Sequence, residues 1–280
     1  MGARPVKITL TRRLATVGAL FLIAAPAILY RASPAQKEIE DSLKDAYKGR
    51  TLTLRNFYVG SALEFDPQGA ALKSPKVGPW TLYSRILVTD VKLKSQTLEF
   101  DAQRLFLHYL TDKKEFEALR DGNVRIRLGL DHEPSTTQDL EGLLGKIFLK
   151  SGEHISELVP PYWKQFCSHM SDPEWGLKEA KKVRVPNQTG EAGRTPPLPL
   201  YKPEPAYGRE ARQARINGTL ALVAVIDQGG RVADVMLIRP LGMGLDESAV
   251  ETVRTWKFKP GEFKGNATAV RVVIEVSFHI

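Results

Sequence analysis

The sequence predicts an α+β chain whose C-terminal part is a small antiparallel sheet with two helices. Three observations carry this expectation. Val270, Val272, Ile274, Val276 and Phe278 alternate with Arg271, Val273, Glu275, Ser277 and His279, the period-two pattern of a half-buried strand. Leu245, Ala249, Val253 and Trp256 recur at spacings of four, four and three, which places them on one face of a helix. Between residues 51 and 128, short alternating runs are separated by turn-forming residues, the pattern of a second, β-rich region.

The C-terminal elements follow in order. Pro205-Ala206-Tyr207 opens a helix with Tyr207, Ala211 and Ala214 on one face, and Asn217-Gly218 ends it. Leu220, Leu222, Ala224 and Ile226 share one face of a strand. Asp227-Gln228-Gly229-Gly230 makes a turn, its glycines suited to positive φ, and residues 232–239 return as a second strand. Asp246 and Glu247 fall in the first turn of the next helix, where carboxylates suit the positive end of the helix dipole. Lys257-Phe258-Lys259-Pro260 closes that helix, and the strand of residues 270–278 comes last.

The middle region starts with a charged, helix-friendly segment at residues 35–47. Strands are then expected at residues 51–57, 85–94, 97–100, 104–109 and 124–128. Turn signals stand at Asp66-Pro67-Gln68-Gly69, Gly78-Pro79 and Asp121-Gly122-Asn123. Residues 137–149 read as a helix with Leu140, Leu143, Leu144 and Ile147 on one side. A further helical stretch covers residues 154–169, broken at Pro160-Pro161.

Two segments lack this patterning. Residues 14–30 are apolar and uncharged, preceded by Arg4, Lys7, Arg12 and Arg13. They fit either an uncleaved membrane anchor with its positive side inward or a cleaved secretory signal; both readings place the rest of the chain outside the cytoplasm. Residues 171–205 are polar and carry seven prolines, so an extended inter-domain tether is expected there. The expected organisation is therefore a leader or anchor (1–33), a β-rich middle domain with a helical end (34–170), a proline-containing linker (171–202) and a C-terminal domain (203–280).

Composition narrows the chemistry. The net charge is +8, but four of those cations belong to the leader, and no aromatic-interleaved basic stripe supports nucleic-acid binding. Cys167 is the one cysteine and reads as structural. Asp131-His132-Glu133 is a solvated loop rather than a metal site, because three consecutive side chains cannot converge on one ion. Glu99 with Asp101 and Glu115 with Glu117 read as surface charges. No phosphate loop, Gly-x-Ser-x-Gly or His-Glu-x-x-His pattern occurs. No enzymatic activity, metal or cofactor is expected.

Taken together, Pro205-x-Tyr207, Ala211-Arg212, residues 218–235 with Asp227 and Gly230, Leu245-Asp246-x-x-Ala249 and Trp256-x-Phe258-x-Pro260 resemble the TonB C-terminal family over residues 203–280. The resemblance implies an energy transducer that contacts outer-membrane TonB-dependent transporters in support of transmembrane transport. Their N-terminal box would bind by adding a strand to the exposed edge of the last strand. The residues this assigns to partner binding are Pro203, Pro205, Tyr207, Arg271, Val273, Glu275 and Ser277. It further implies a single-pass inner-membrane protein facing the periplasm, coupled to a proton-driven motor of the ExbB/ExbD type, with a homodimer left open. The alternative is a secreted periplasmic binding or scaffold protein that uses the same module without motor coupling. Three departures stand out. Tyr207 is followed by Gly208 where the family has proline. The long Glu-Pro/Lys-Pro repeat is missing, and residues 14–30 contain no ionisable group, whereas well-known transducers carry one in the anchor.

Overall fold

Helix α1 (Pro34–Tyr47) starts from Ser33, whose hydroxyl accepts from the Gln36 N–H at 3.1 Å, with Pro34 at the first helical position. The computed structural model describes residues 33–183 and 193–280. The leader or anchor expected at residues 1–33 lies outside them except for Ser33. Among the described residues no helix is long and apolar enough to cross a membrane.

Ile39 and Leu43, one turn apart, bury the inner face of α1 against a five-stranded sheet. Its strands are β1 (Thr51–Thr53), β2 (Ala62–Phe65), β3 (Arg85–Lys94), β4 (Thr97–Leu110) and β5 (Glu115–Gly129), in the order β1-β3-β4-β5-β2. All pairs are antiparallel except β2 with β5. The four-residue helix α2 (Trp80–Tyr83) precedes β3, and α3 (Gln138–Ile147) covers the sheet with Leu140, Leu144 and Ile147, as the spacing predicts.

Two expectations are corrected here. The runs at 97–100 and 104–109 are one strand of 14 residues. Asp121-Gly122 is not a turn: the β4–β5 register shifts between Gln103 and Leu105, and β5 absorbs the extra residue as a bulge. The carboxylates also differ from one another. Glu115 and Glu117 are exposed, but Glu99 is only 4% exposed, held by Arg127 at 2.8 Å and Arg125 at 3.2 Å. The pairing register explains this, since Glu99 faces Arg127 and Asp101 faces Arg125 across the ladder.

A strand of 14 residues is about 45 Å long, which is longer than one small core. The first half of β4 buries Leu98, Phe100 and Ala102 in the middle core; the second half buries Phe106, Leu107 and Tyr109 in the core of the C-terminal region. Helices α4 (Pro161–Ser168) and α5 (Trp175–Lys182) add Trp163, Phe166 and Trp175 to that second core. The described residues form one compact unit.

The C-terminal elements are β6 (Arg194–Thr195), β7 (Leu198–Tyr201), α6 (Arg209–Gln213), β8 (Gly218–Ile226), β9 (Val232–Arg239), α7 (Leu245–Val253), β10 (Lys257–Lys259), β11 (Gly261–Phe263), β12 (Asn266–Thr268) and β13 (Val270–Phe278). The main sheet has the order β13-β8-β9, antiparallel throughout. The segment expected to be a structureless tether contains α5, β6 and β7. Trp175 is buried, β7 pairs with β10, and β6 pairs with β11. Pro199 fits because β7 is an edge strand.

Smaller corrections follow from backbone geometry. Helix α6 starts at Arg209, two residues past Tyr207, and the left-handed residue after it is Arg215 (φ 53°) rather than Gly218. Residues 257–259 do not close α7 but form β10. The two halves of the molecule meet at Gly242 (φ 81°), where a Cβ would lie 2.1 Å from the Leu107 carbonyl oxygen. Around it the Met243 N–H donates to that oxygen at 2.9 Å, and the Tyr109 N–H donates to the Leu241 oxygen at 2.8 Å.

Candidate functional site

Strand β13 pairs with β8 through all nine of its residues, from Val270 opposite Ile226 to Phe278 opposite Gly218. It ends the sheet order, so its other side carries no strand partner among the described residues. Its alternation sends Val270, Ile274, Val276 and Phe278 into the core and leaves Arg271, Val273, Glu275 and Ser277 exposed. A row of unpaired backbone donors and acceptors is the physical requirement for strand addition.

A cavity of about 420 Å³ runs beside this strand. Pro203, Pro205 and Tyr207 line it together with Glu275, Ser277 and Trp256. The wall is pinned in place. The Trp256 indole N–H donates to the Pro203 carbonyl at 3.0 Å, and the Ser248 hydroxyl donates to the Ala206 carbonyl at 2.6 Å. The Tyr207 hydroxyl donates to the Ile216 carbonyl, and its ring meets Phe278 edge-on at 5.7 Å. Lys202 stands over the Trp256 ring at 5.0 Å. Five of the seven residues assigned from sequence thus meet in one groove. Val273 lines a different cavity on the outward sheet face, and Arg271 lines neither.

That outward face is less open than the alternation of β13 alone suggests. Ala221 and Val223 of β8 are each only 3% exposed, so the central strand is buried on both faces. Helices α4 and α5 pack over β9, and a Cβ on Gly176 would lie 2.0 Å from the Ile238 carbonyl oxygen. The unbroken apolar run of residues 220–226 is the sequence signal for this covering.

The first turn of α7 does more than complement the helix dipole. Asp246 is fully buried and accepts from the N–H groups of Leu241 at 2.8 Å and Gly242 at 2.6 Å, which fixes the loop that meets β4. Burial, with Glu247 beside it, raises its pKa well above the usual range even against these donors. Glu247 accepts the Trp163 indole N–H at 2.9 Å, and burial pushes its pKa up to about 7. Its second oxygen and the Trp80 indole nitrogen are buried without partners. No sequence motif links residues 84 positions apart, so the contact was not legible beforehand. The Cys167 thiol is half-buried, and burial pushes its pKa up to about 12, which removes it as a nucleophile. Among the described residues no group of three metal-binding side chains converges.

The described residues of the C-terminal region thus combine an open-edged sheet with a pinned groove, an arrangement whose geometry suits the addition of an extended peptide. Residues 203–280 match the family described as Gram-negative bacterial TonB protein C-terminal, and the chain carries a TonB-type C-terminal domain. Protein TonB of Vibrio cholerae serotype O1 is 33% identical over 86 residues, covering 30% of this chain and 35% of that relative. The match therefore spans about a third of the relative's length. The solution NMR structure of the Pseudomonas aeruginosa TonB C-terminal domain aligns with 21% identity and a TM-score of 0.26, covering 33% of this chain and 91% of that one.

Proposed function

We propose that the free edge of β13 receives an extended peptide by strand addition, which makes residues 203–280 the partner-binding end of a TonB-type transducer. One observation supports this most directly. Among the described residues β13 is paired on one side only, and the groove along it is walled by Pro203, Pro205 and Tyr207. In this reading the peptide is the N-terminal box of an outer-membrane TonB-dependent transporter. Residues 14–30 anchor the chain in the inner membrane, with the remainder facing the periplasm. The chain supports transmembrane transport and catalyses no reaction itself, and its coupling runs through an ExbB/ExbD-type motor.

A second reading, a periplasmic scaffold that uses the same edge without motor coupling, draws on a separate observation. Helix α5 packs on β9 and β7 pairs with β10, so part of the expected tether is folded onto the C-terminal region and its reach is shortened. A photoreactive residue at position 277 of the full chain, cross-linked in intact membranes, separates the two. The transducer reading expects capture of an outer-membrane transporter through its N-terminal segment. Capture of only a soluble periplasmic protein, or only of a second copy, overturns it.

A further inference from the structure

A second cavity, lined by Val273 and sharing Glu275 with the β13 groove, lies on the outward face of the sheet. It measures about 520 Å³, within the range of roughly 300–1,000 Å³ usual for small-molecule sites. It is bounded by the β4–β5 hairpin, α5 and the outward face of β8, β9 and β13. Tyr109, Phe116, Phe166 and Trp175 supply aromatic walls. Met170, Leu177 and Val273 also line it and remain 40%, 49% and 39% exposed. Apolar side chains left open in a concavity favour a ligand with an apolar body.

The charged residues of the lining are mostly matched. Lys114 pairs with Glu174, Arg239 with Glu275 at 2.7 Å, and Asp172 with Lys178 at 2.7 Å. Glu115 is exposed. Two lining charges, Glu115 and Arg85, have no side-chain hydrogen bond or ion pair among the described residues, and of these only Arg85 is half-buried. Burial lowers the pKa of its guanidinium. Arg104, on the next strand opposite Ile86, shows the contrast. It is 4% exposed and donates to the carbonyls of Tyr83, Tyr58 and Gly60 at 2.8–3.0 Å. A half-buried guanidinium without such partners is only partly solvated, and an incoming carboxylate or phosphate can take up its paired N–H donors.

We infer that this cleft binds a small anionic amphiphile, its apolar body against Phe116, Phe166, Trp175 and Leu177 and its anionic head on Arg85. The inference is independent of what adds to the β13 edge.

Decanoate, decanol and decyltrimethylammonium, titrated into the full chain held in amphipol, test it by calorimetry and by Trp175-dependent fluorescence. Decanoate should bind saturably and more tightly than either analogue. Arg85→Met should weaken decanoate by about tenfold or more while leaving decanol unchanged, since the lost contact is a charge-assisted one. Leu177→Asp changes an exposed wall residue, so it should preserve the thermal melt and also weaken decanoate by about tenfold through like-charge repulsion. The inference is overturned by any of three results: no saturable decanoate binding to the full chain, decyltrimethylammonium binding as tightly as decanoate, or unchanged decanoate affinity in the Leu177→Asp chain.

Discussion

The two end strands of the C-terminal sheet have opposite fates. β9 is committed inward. Leu237 and Ile238 are 0% and 4% exposed, α4 and α5 pack over it, and the loop that follows it hydrogen-bonds to β4. β13 is left outward, with alternate residues exposed and one side unpaired. The same antiparallel sheet thus joins the halves of the molecule on one side and presents an edge on the other. Both end strands pair only with β8 among the described residues, but β9 is overlaid by α4 and α5, which leaves β13 as the more open edge.

The largest expected effect comes from breaking the joined side. Gly242→Ala places a methyl group 2.1 Å from the Leu107 oxygen at a backbone φ of 81°, and strain plus clash should cost about 2–4 kcal/mol. Thermal unfolding of the full chain should then shift down by roughly 5–10 °C. A shift confined to the C-terminal signals, with the middle region unmoved, would contradict coupling of the two cores through β4.

The next effect is a pH dependence. The Glu247 pKa in the folded chain, about 7, lies above its ordinary 4.5 because of burial. The native state therefore keeps this proton where the unfolded chain has released it. Its contribution to stability is complete below 4.5 and is lost as pH rises through about 7. Glu247→Gln should remove up to about 3 kcal/mol of that dependence, read as melting temperatures that coincide below pH 4.5 and diverge as pH rises through about 7, the unsubstituted chain falling below the variant. Parallel curves would place Glu247 in water instead.

Smaller changes sharpen the open side. Trp256→Phe keeps the ring but loses the N–H donated to Pro203, and should cost about 1 kcal/mol while loosening the groove wall. Faster hydrogen exchange at residues 202–207 would report this. Glu275→Gln breaks the pair with Arg239, which is exposed enough that the cost should stay below about 1 kcal/mol and vanish in high salt. A larger loss would mean that this pair fixes β13 in place.

Periodicity made much of this legible. The strict alternation of β13, the Leu245, Ala249 and Val253 stripe of α7 and the Asp227–Gly230 turn all follow from local pattern, although Trp256, expected on the same stripe, lies past the end of α7. So do the burial of Leu140, Leu144 and Ile147 in α3 and the seven-residue apolar run of β8. What stayed hidden depends on contacts distant in sequence. Proline content pointed to a loose tether over residues 171–202, but Trp175 finds a core there and β7 finds an edge to pair with. Asp121-Gly122 is as good a bulge as a turn, and only the length of the opposing strand decides between them. The groove residues at 203–207 and 275–277 were identified from the family resemblance, whereas Arg85 carried no signal at all. Its isolation becomes visible only once four other charges of the same cleft, Lys114, Asp172, Arg239 and Glu275, are seen to be paired.

Amide hydrogen exchange of the full chain, with and without a synthetic transporter N-terminal box peptide at saturating concentration, tests the contrast between the two end strands most directly. Strand addition predicts new protection within residues 270–278 and none within residues 232–239. Protection at β9, or saturated binding with no change along β13, would contradict it.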